Sequence, residues 1–475
     1  MASKSYDLIV LGSGPAGEKG ASTAAQFGKR VAMIEKAPHL GGASTNTGTI
    51  PSKTLRETAL ALSGLRARDL YGVDLSLRRE ATVSDFLFHE SQVKASERNR
   101  IQQCVERDRI ELVRGAASFS GGNTVNVATA EGYVTLEGER ILVATGSSPF
   151  QPAEFCFPDS RVHDSDEILA LDRLPDKLAV IGAGVIGSEY ACTFAALGCE
   201  VHLLDRRDVI LPFLDREMSL AFEQSLPRLG IRYYKNEKVT ACVPGPPEGG
   251  ISLECESGLK LEVDQVLVAA GRKSNTGDLN LSAAGVTTGE RGLIPVNEFY
   301  QTNVPHIYAA GDVIGFPALA ATSAEQARIA VWHAFQLGVR FDMSPLLPSG
   351  IYTIPEISMV GETEESLREK KIDYITGRAS YADNARGEII GDSRGTLKVL
   401  CAKPGGKVLG VHVIGELASE VVHVGLMAMV AGATVDIFNQ ACFNYPTLGD
   451  LYKTAAYDAM LKLHAMPGAP GGIVY

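Results

Sequence analysis

The sequence predicts an α/β protein, two Rossmann-like dinucleotide-binding domains followed by an α+β C-terminal domain, and three observations predict it. Two apolar runs, Tyr6–Leu11 and Leu178–Ile181, each lead into a G-x-G-x-x-G turn, Gly12-Ser13-Gly14-Pro15-Ala16-Gly17 and Gly182-Ala183-Gly184-Val185-Ile186-Gly187. A helical stretch follows each turn, and then a second apolar run, Val31–Ile34 or Val201–Leu204, that ends on an acid, Glu35 or Asp205. In both copies the acid lies 23 positions beyond the first glycine. From about residue 346 the pattern changes to strands near 351–360, 395–401 and 408–414, then helices near 416–432 and 447–463.

The spacing of each repeat has a mechanical basis. The first glycine allows the tight turn from strand to helix, the second lets backbone approach a pyrophosphate, and the third lets helix pack on strand. The pyrophosphate then sits on the helix N-terminus, and the acid accepts from a ribose hydroxyl. One such turn alone is weak evidence; two copies with strand, helix and acid in register predict two bound dinucleotides.

The connecting pieces agree. Ile141–Val143 runs into Ala144-Thr145-Gly146, Val266–Ala270 into Gly271-Arg272, and Ile307–Ala310 into Gly311-Asp312, each a strand ending in a glycine turn. Residues from about 112 to 140 read as short strands with Gly-rich turns, a small β insertion. Pro467–Tyr475 is Gly/Pro-rich and expected to be loose.

At 475 residues the chain is long enough for about three domains. Hydrophobic residues make up 45% and charged residues 21%, which rules out a largely disordered chain. A net charge of −11 argues against a nucleic-acid or anionic-membrane partner, which would need a basic patch. No apolar run reaches the roughly 20 residues that cross a bilayer. The apolar run Leu8–Leu11 is cut short at Gly12, unlike a signal peptide, so a cytoplasmic location is expected. The eight cysteines are scattered with no C-x-x-C, and the nine histidines show no ligand spacing, so neither a disulfide framework nor a metal site is expected.

On these motifs, and on the segment Gly41–Lys53, the chain from about Tyr6 to Met460 resembles the pyridine nucleotide–disulfide oxidoreductases, the group of lipoamide dehydrogenase and glutathione reductase. The resemblance implies FAD in the first unit, NAD(H) or NADP(H) in the second, and a homodimer formed through the last domain. It divides the chain into 1–155 and 272–345 for FAD, 156–271 for the nicotinamide dinucleotide and 346–475 for the interface. It places Asp312 on a flavin ribityl hydroxyl, and Lys53 with Glu189 beside the flavin, where they set its electronics and position the nicotinamide.

Two departures are informative. Family disulfide reductases carry cysteines where this chain has Ser44 and Thr49, and a hydroxyl forms no disulfide and no thiolate. Their thiol-activating histidine is replaced by Tyr445, in Phe443-Asn444-Tyr445-Pro446-Thr447, and a phenol with a pKa of about 10 is a poor proton acceptor at neutral pH. Within the family, the Asn-Tyr-Pro-Thr and Gly-Thr-Ile-Pro-Ser-Lys runs are most similar to the branch that exchanges hydride between NADPH and NAD⁺, although that branch commonly keeps a cysteine at the Ser44 position. This implies FAD-dependent, ping-pong transhydrogenation without a redox disulfide, with Tyr445 packing near the partner subunit's flavin.

Rival readings are an NAD(P)H oxidase or quinone diaphorase, a lipoamide dehydrogenase-like reductase working through other cysteines such as Cys104 or Cys442, or a non-catalytic dinucleotide sensor. Asp205 suits the 2′-hydroxyl of NAD(H), while the adjacent Arg206 and Arg207 suit the 2′-phosphate of NADP(H), a mixture that fits an enzyme accepting both.

Overall fold

The computed structural model describes residues 4–65, 83–338 and 344–464, so the C-terminal stretch expected to be loose lies outside the described residues. Lys4–Leu11 is central in a seven-stranded sheet, flanked in parallel by Val31–Glu35 and by Gly132–Val143. Glu111–Arg114 pairs with Val31–Glu35 on the outer side, and Ile307–Ala309 pairs with the end of Gly132–Val143, both parallel. The start of Gly132–Val143 instead carries the expected β insertion, pairing antiparallel with Thr124–Thr129, which pairs with Ala116–Phe119. Buried on both faces, the central strands are continuous apolar runs, Ile9, Val10 and Leu11 among them.

The second unit repeats this plan. Lys177–Ile181 is central in an all-parallel sheet, with Glu200–Asp205 and then Ile231–Lys235 on one side, Gln265–Val268 and then Val162–Asp164 on the other. It also carries a three-stranded antiparallel insertion, Val239–Pro244, Ile251–Cys255 and Lys260–Val263. Chain passing between the units pairs as a short antiparallel ribbon of Ser147–Pro149 and Arg272–Ser274.

The third region is a five-stranded antiparallel sheet whose core is closed by the helices Ala418–Val430 and Leu451–His464. Its strands run Ser349–Ile351, Ile357–Gly361, Val408–Ile414, Thr396–Ala402, Tyr374–Ser380. The other face of the sheet meets the second unit, where Ile351, Ile357 and Ile414 join that unit's core. Lys398, between the core residues Leu397 and Val399, points to that face by strand alternation. There its buried ammonium lies 2.8 Å from Asp215 and 2.9 Å from Glu217, and it also reaches Glu364. These three carboxylates have the spacing of a cation site, and the ammonium stands among them.

Two expectations are corrected here. The strand expected across 351–360 is two strands, because Tyr352–Pro355 leaves the ladder: the Tyr352 N–H is spent on Glu189, and Pro355 has no N–H to give. Tyr374–Ser380 was not expected to be a strand, since its core face is Ile375, Gly377 and Ala379 and hardly alternates in hydrophobicity. Gly377 is needed there: a Cβ would lie 2.0 Å from the Ala455 carbonyl oxygen of the overlying helix.

Candidate functional site

The two glycine turns are built alike. Gly12 has φ +104° and Gly182 φ +103°, a region that side-chain-bearing residues rarely adopt. A Cβ on Gly17 would lie 1.9 Å from the Gly12 carbonyl oxygen, and one on Gly187 would lie 1.9 Å from that of Gly182, so the third glycine is a packing requirement. At the second glycine the space is open: a Cβ on Gly184 meets nothing within 4 Å, and one on Gly14 only Gly42 Cα at 3.8 Å. The helices Pro15–Gln26 and Val185–Ala196 that start there have no side-chain cap. Free N–H groups with room in front of them fit a pyrophosphate in both units.

The acids end their strands beside these turns. Glu35 is buried and accepts from the Ser13 N–H at 3.0 Å and hydroxyl at 2.6 Å, and from the Ala37 N–H at 2.7 Å. Asp205 is also buried and accepts from the Ala183 N–H at 2.7 Å. Its other partner is Arg207. The Arg207 guanidinium binds Asp205 side-on, Nε to Oδ1 at 2.9 Å and Nη2 to Oδ2 at 2.7 Å. Burial raises the Asp205 carboxyl, but the Arg207 bonds prevail and hold it below its usual range. Arg206 is exposed and has no ion-pair partner among the described residues.

Lys53 and Glu189 come together from different units, Lys53 on the helix Thr49–Ser63 and Glu189 on Val185–Ala196. Lys53 Nζ lies 2.6 Å from Glu189 Oε2 and 4.9 Å from the centre of the Tyr352 ring. The Tyr352 N–H donates to Glu189 Oε1 at 2.9 Å, so the C-terminal region holds the carboxylate from the other side. Behind the pair, buried Arg56 donates from Nε to the Thr353 carbonyl at 3.0 Å and faces Glu356 at 3.4 Å. All three regions of the chain meet at one ion pair.

At the remaining turns, Gly146 has φ +68° and the buried Thr145 hydroxyl has no partner among the described residues. An orphaned buried hydroxyl beside an open glycine turn fits a ligand's polar group. Asp312 accepts from the Ser147 hydroxyl at 2.7 Å, and that oxygen accepts from Arg272 Nε at 2.8 Å. Gly271 has φ +109°, and the Gly311 N–H donates to Gln326 Oε1 at 2.9 Å.

Ser44 is half-buried in the short helix Gly42–Asn46, and Thr49 is exposed at the start of the next helix. All eight cysteines are free. Burial pushes the thiols of Cys192, Cys199 and Cys401 up to about 12, far from a thiolate at neutral pH. The structure does not bring Tyr445 into this cluster: it is 77% exposed, with no hydrogen bond or ring partner among the described residues.

The sequence reading missed Arg56, Tyr352, Glu356, Ser147 and Gln326 as supports of the site. Arg56 alone left a signal, a cation on the apolar side of an Ala/Leu-rich helix. Among the described residues, no helix is long and apolar enough to cross a membrane.

Comparison with known proteins decides the family. The model for "Pyridine nucleotide-disulphide oxidoreductase" matches residues 6–334, and the model for that family's dimerisation domain matches 347–456. This chain belongs to the pyridine nucleotide–disulphide oxidoreductases. Family relatives named soluble pyridine nucleotide transhydrogenase include one from Mycobacterium bovis, 43% identical over 98% of this chain and 99% of the relative. Another, from Colwellia psychrerythraea, is 38% identical over 96% and 98%. Among solved structures, LpdA from Mycobacterium tuberculosis superposes with a TM-score of 0.88 at 27% identity, covering 96% of this chain and 99% of that one. The HOCl-induced flavoprotein disulfide reductase RclA from Escherichia coli does so with 0.86 at 27%, covering 95% and 99%.

Proposed function

We propose that this family member is a FAD-dependent NAD(P) transhydrogenase, carrying hydride between NADPH and NAD⁺ in ping-pong fashion without a dithiol. The observation that carries this reading is the Lys53–Glu189 pair, fixed where three regions meet, with hydroxyl residues at the positions where disulfide-reducing relatives have cysteines. The relatives' printed names support the same activity.

The residues fit both dinucleotides. FAD would lie with its pyrophosphate on the turn Gly12, Gly14, Gly17, its adenosine ribose at Glu35, and the rest of the molecule at Thr145, Gly146, Gly311 and Asp312. The nicotinamide dinucleotide would lie on Gly182, Gly184 and Gly187, with Gly271 and Arg272 completing the second unit's edge. Bound FAD supplies the two-electron store that lets one nicotinamide leave before the other enters.

The chain's own contribution is positioning. Glu189, anchored by the Tyr352 N–H, keeps the Lys53 ammonium in one place, and two rings held at reacting distance need no proton relay. Ser44, Thr49 and Tyr445 then have no chemical step to perform. The division of the chain into 1–155 with 272–345, 156–271 and 346–475 belongs to this proposal. So does a homodimer through the last region, where Met427, Val430, Tyr457 and Leu461 are exposed apolar residues on two helices. We place the protein in the cytoplasm, which fractionation of the source cells tests.

The deciding experiment mixes the purified yellow protein anaerobically with NADPH and thio-NAD⁺ and follows reduction of the thio analogue. Rapid turnover with no added thiol, disulfide or quinone is expected. Rapid flavin reduction with no onward transfer defeats the reading in favour of an oxidase or diaphorase. Reductive titration should take up two electrons per flavin, and four would restore a dithiol reductase.

A further inference from the structure

Arg272 reaches from the second unit toward the first. It follows the strand Gln265–Val268, yet its guanidinium is spent on the ribbon that joins the units. Nε donates to the Ser147 hydroxyl oxygen at 2.8 Å and Nη2 to the Ser147 carbonyl at 2.7 Å, while Nη1 lies 3.6 Å from Asp166. Each guanidinium nitrogen therefore faces an oxygen of the chain, and the side chain is only 21% exposed.

The Ser147 hydroxyl passes this contact on. It accepts from Arg272 and donates its own proton to Asp312 Oδ2 at 2.7 Å. Asp312 stands just past the strand Ile307–Ala309, at the carboxyl edge of the first unit's sheet. Its other oxygen, Oδ1, has no hydrogen bond among the described residues. Asn275, three residues beyond Arg272, fixes the neighbouring turn: its N–H donates to the Gly146 carbonyl at 3.0 Å, and its side-chain amide to the Thr145 carbonyl at 3.0 Å.

We propose that Arg272, at the edge of the nicotinamide unit, is a positioning residue for FAD, acting through Ser147 on Asp312. The proposal rests on the reading that Asp312 faces the flavin's ribityl chain. A run of donors from a guanidinium through a hydroxyl to a carboxylate is charge-assisted at both ends, and each bond polarises the next. It fixes one carboxylate oxygen and leaves the other to accept from a ligand hydroxyl. Without the run, the carboxylate regains rotamer freedom that FAD has to remove on binding. The second unit thereby contributes to flavin retention through a side chain that the sequence pattern assigns to the other dinucleotide.

Release of FAD from the yellow protein, read as the fluorescence that free flavin regains, tests this. Arg272→Gln should release FAD ~10–100-fold faster, the usual worth of a hydrogen bond to a charged group. Ser147→Ala should accelerate release by a similar factor, because it removes the same link. Arg272→Lys keeps the charge but not the two-pronged grip on Ser147, and should fall between wild type and Arg272→Gln. Calorimetric titration with ADP-ribose, which carries no flavin and no nicotinamide, should give affinities within about twofold of wild type in all three.

Combining the changes separates a specific link from a general loss of packing, because contacts acting in series do not add. Arg272→Gln with Ser147→Ala should release FAD no faster than the faster of the two single variants. Should Arg272→Gln fail to fold, Arg272→Lys with Ser147→Ala completes the same cycle.

Effects on FAD release that multiply in the double variant overturn the proposal, because Arg272 would then act elsewhere. So does an Arg272→Gln protein that holds FAD like wild type and binds ADP-ribose more weakly, which returns the arginine to the nicotinamide dinucleotide. Asp312→Asn checks the underlying reading and should release FAD at least as fast as Ser147→Ala. If it retains FAD as wild type does, the placement of Asp312 fails and takes this proposal with it. If it loses FAD while Arg272→Gln and Ser147→Ala both hold it, the placement stands and the proposal alone fails.

Discussion

Replacing Lys398 by methionine removes a fully buried ammonium from between three carboxylates while keeping most of the side-chain volume. Asp215 loses most, since it is 1% exposed and its Oδ1 held the ammonium at 2.8 Å. Glu217 retains Arg378 at 2.8 Å, and Glu364 retains a longer contact with Arg378 at 3.6 Å. Breaking a buried pair by deleting one partner costs about 3–5 kcal/mol, and with Arg378 taking over in part we expect about 3 kcal/mol. That is a factor on the order of 100 in the local opening equilibrium. A several-domain chain need not unfold in one step, so the assay is amide hydrogen exchange, read on Arg216–Ser225 and Thr396–Ala402. Both should exchange faster by about that factor at neutral pH.

The sign with pH is the stricter test. In wild type burial raises the Asp215 carboxyl, but Lys398, helped by the Glu364 N–H, holds it below its usual range; without the ammonium the carboxyl moves up from its wild-type position. A carboxyl whose folded pKa is raised costs stability at high pH, and the cost vanishes as pH falls below the unfolded value near ~4. The variant's deficit should therefore narrow on acidification. A deficit that stays constant from neutral to acid pH, or unchanged exchange at neutral pH, would refute the electrostatic account of this cluster.

Further predictions are these. Gly187→Ala places a Cβ against the Gly182 carbonyl, an overpacking worth about 1–3 kcal/mol, and should abolish nicotinamide-dinucleotide binding while the protein stays yellow. Gly17→Ala should instead lower FAD content, so flavin absorbance per polypeptide separates the two. Tyr445→His should change the thio-NAD⁺ reduction rate far less than the ~100-fold or more that a general acid–base group contributes. Arg378 above all holds the Glu217 carboxyl down, to about 2 from 4.5, so its stabilisation is complete above about 4.5 and fades as pH falls toward about 2. Glu217→Gln should flatten thermal stability across that window, and an acid limb as steep as wild type would count against it.

Legibility in the sequence followed the range of the interaction. The glycine turns, their acids and the parallel strands were readable because local backbone geometry dictates residue type at fixed spacing, as the 1.9 Å approach at Gly17 and again at Gly187 shows. The antiparallel insertion at 239–263 was not anticipated, although the corresponding one at 112–140 was, because its strands are set among polar turns such as Pro246–Gly250. The Arg207–Asp205 cap was open to a sequence reading that allowed two residues' separation to mean pairing as easily as parallel service to a ligand. The supports of Lys53 and Glu189 were not legible at all. Tyr352 acts through its backbone N–H, which carries no residue signature, and Arg56 and Glu356 are 300 positions apart in sequence.

The contact at Tyr352 limits how far the chain can be treated as modules. A fragment ending before the last sheet would keep both glycine turns and both acids, and by the sequence pattern would pass as a complete dinucleotide-binding protein. Its Glu189 would lack the N–H on Oε1, and Arg56 would lose both Thr353 and Glu356. Dinucleotide capture can thus be inherited by cutting or grafting at domain edges. On the proposed role of the Lys53–Glu189 pair, hydride transfer cannot, because the carboxylate that holds the lysine is itself held by backbone from outside either nucleotide-binding unit.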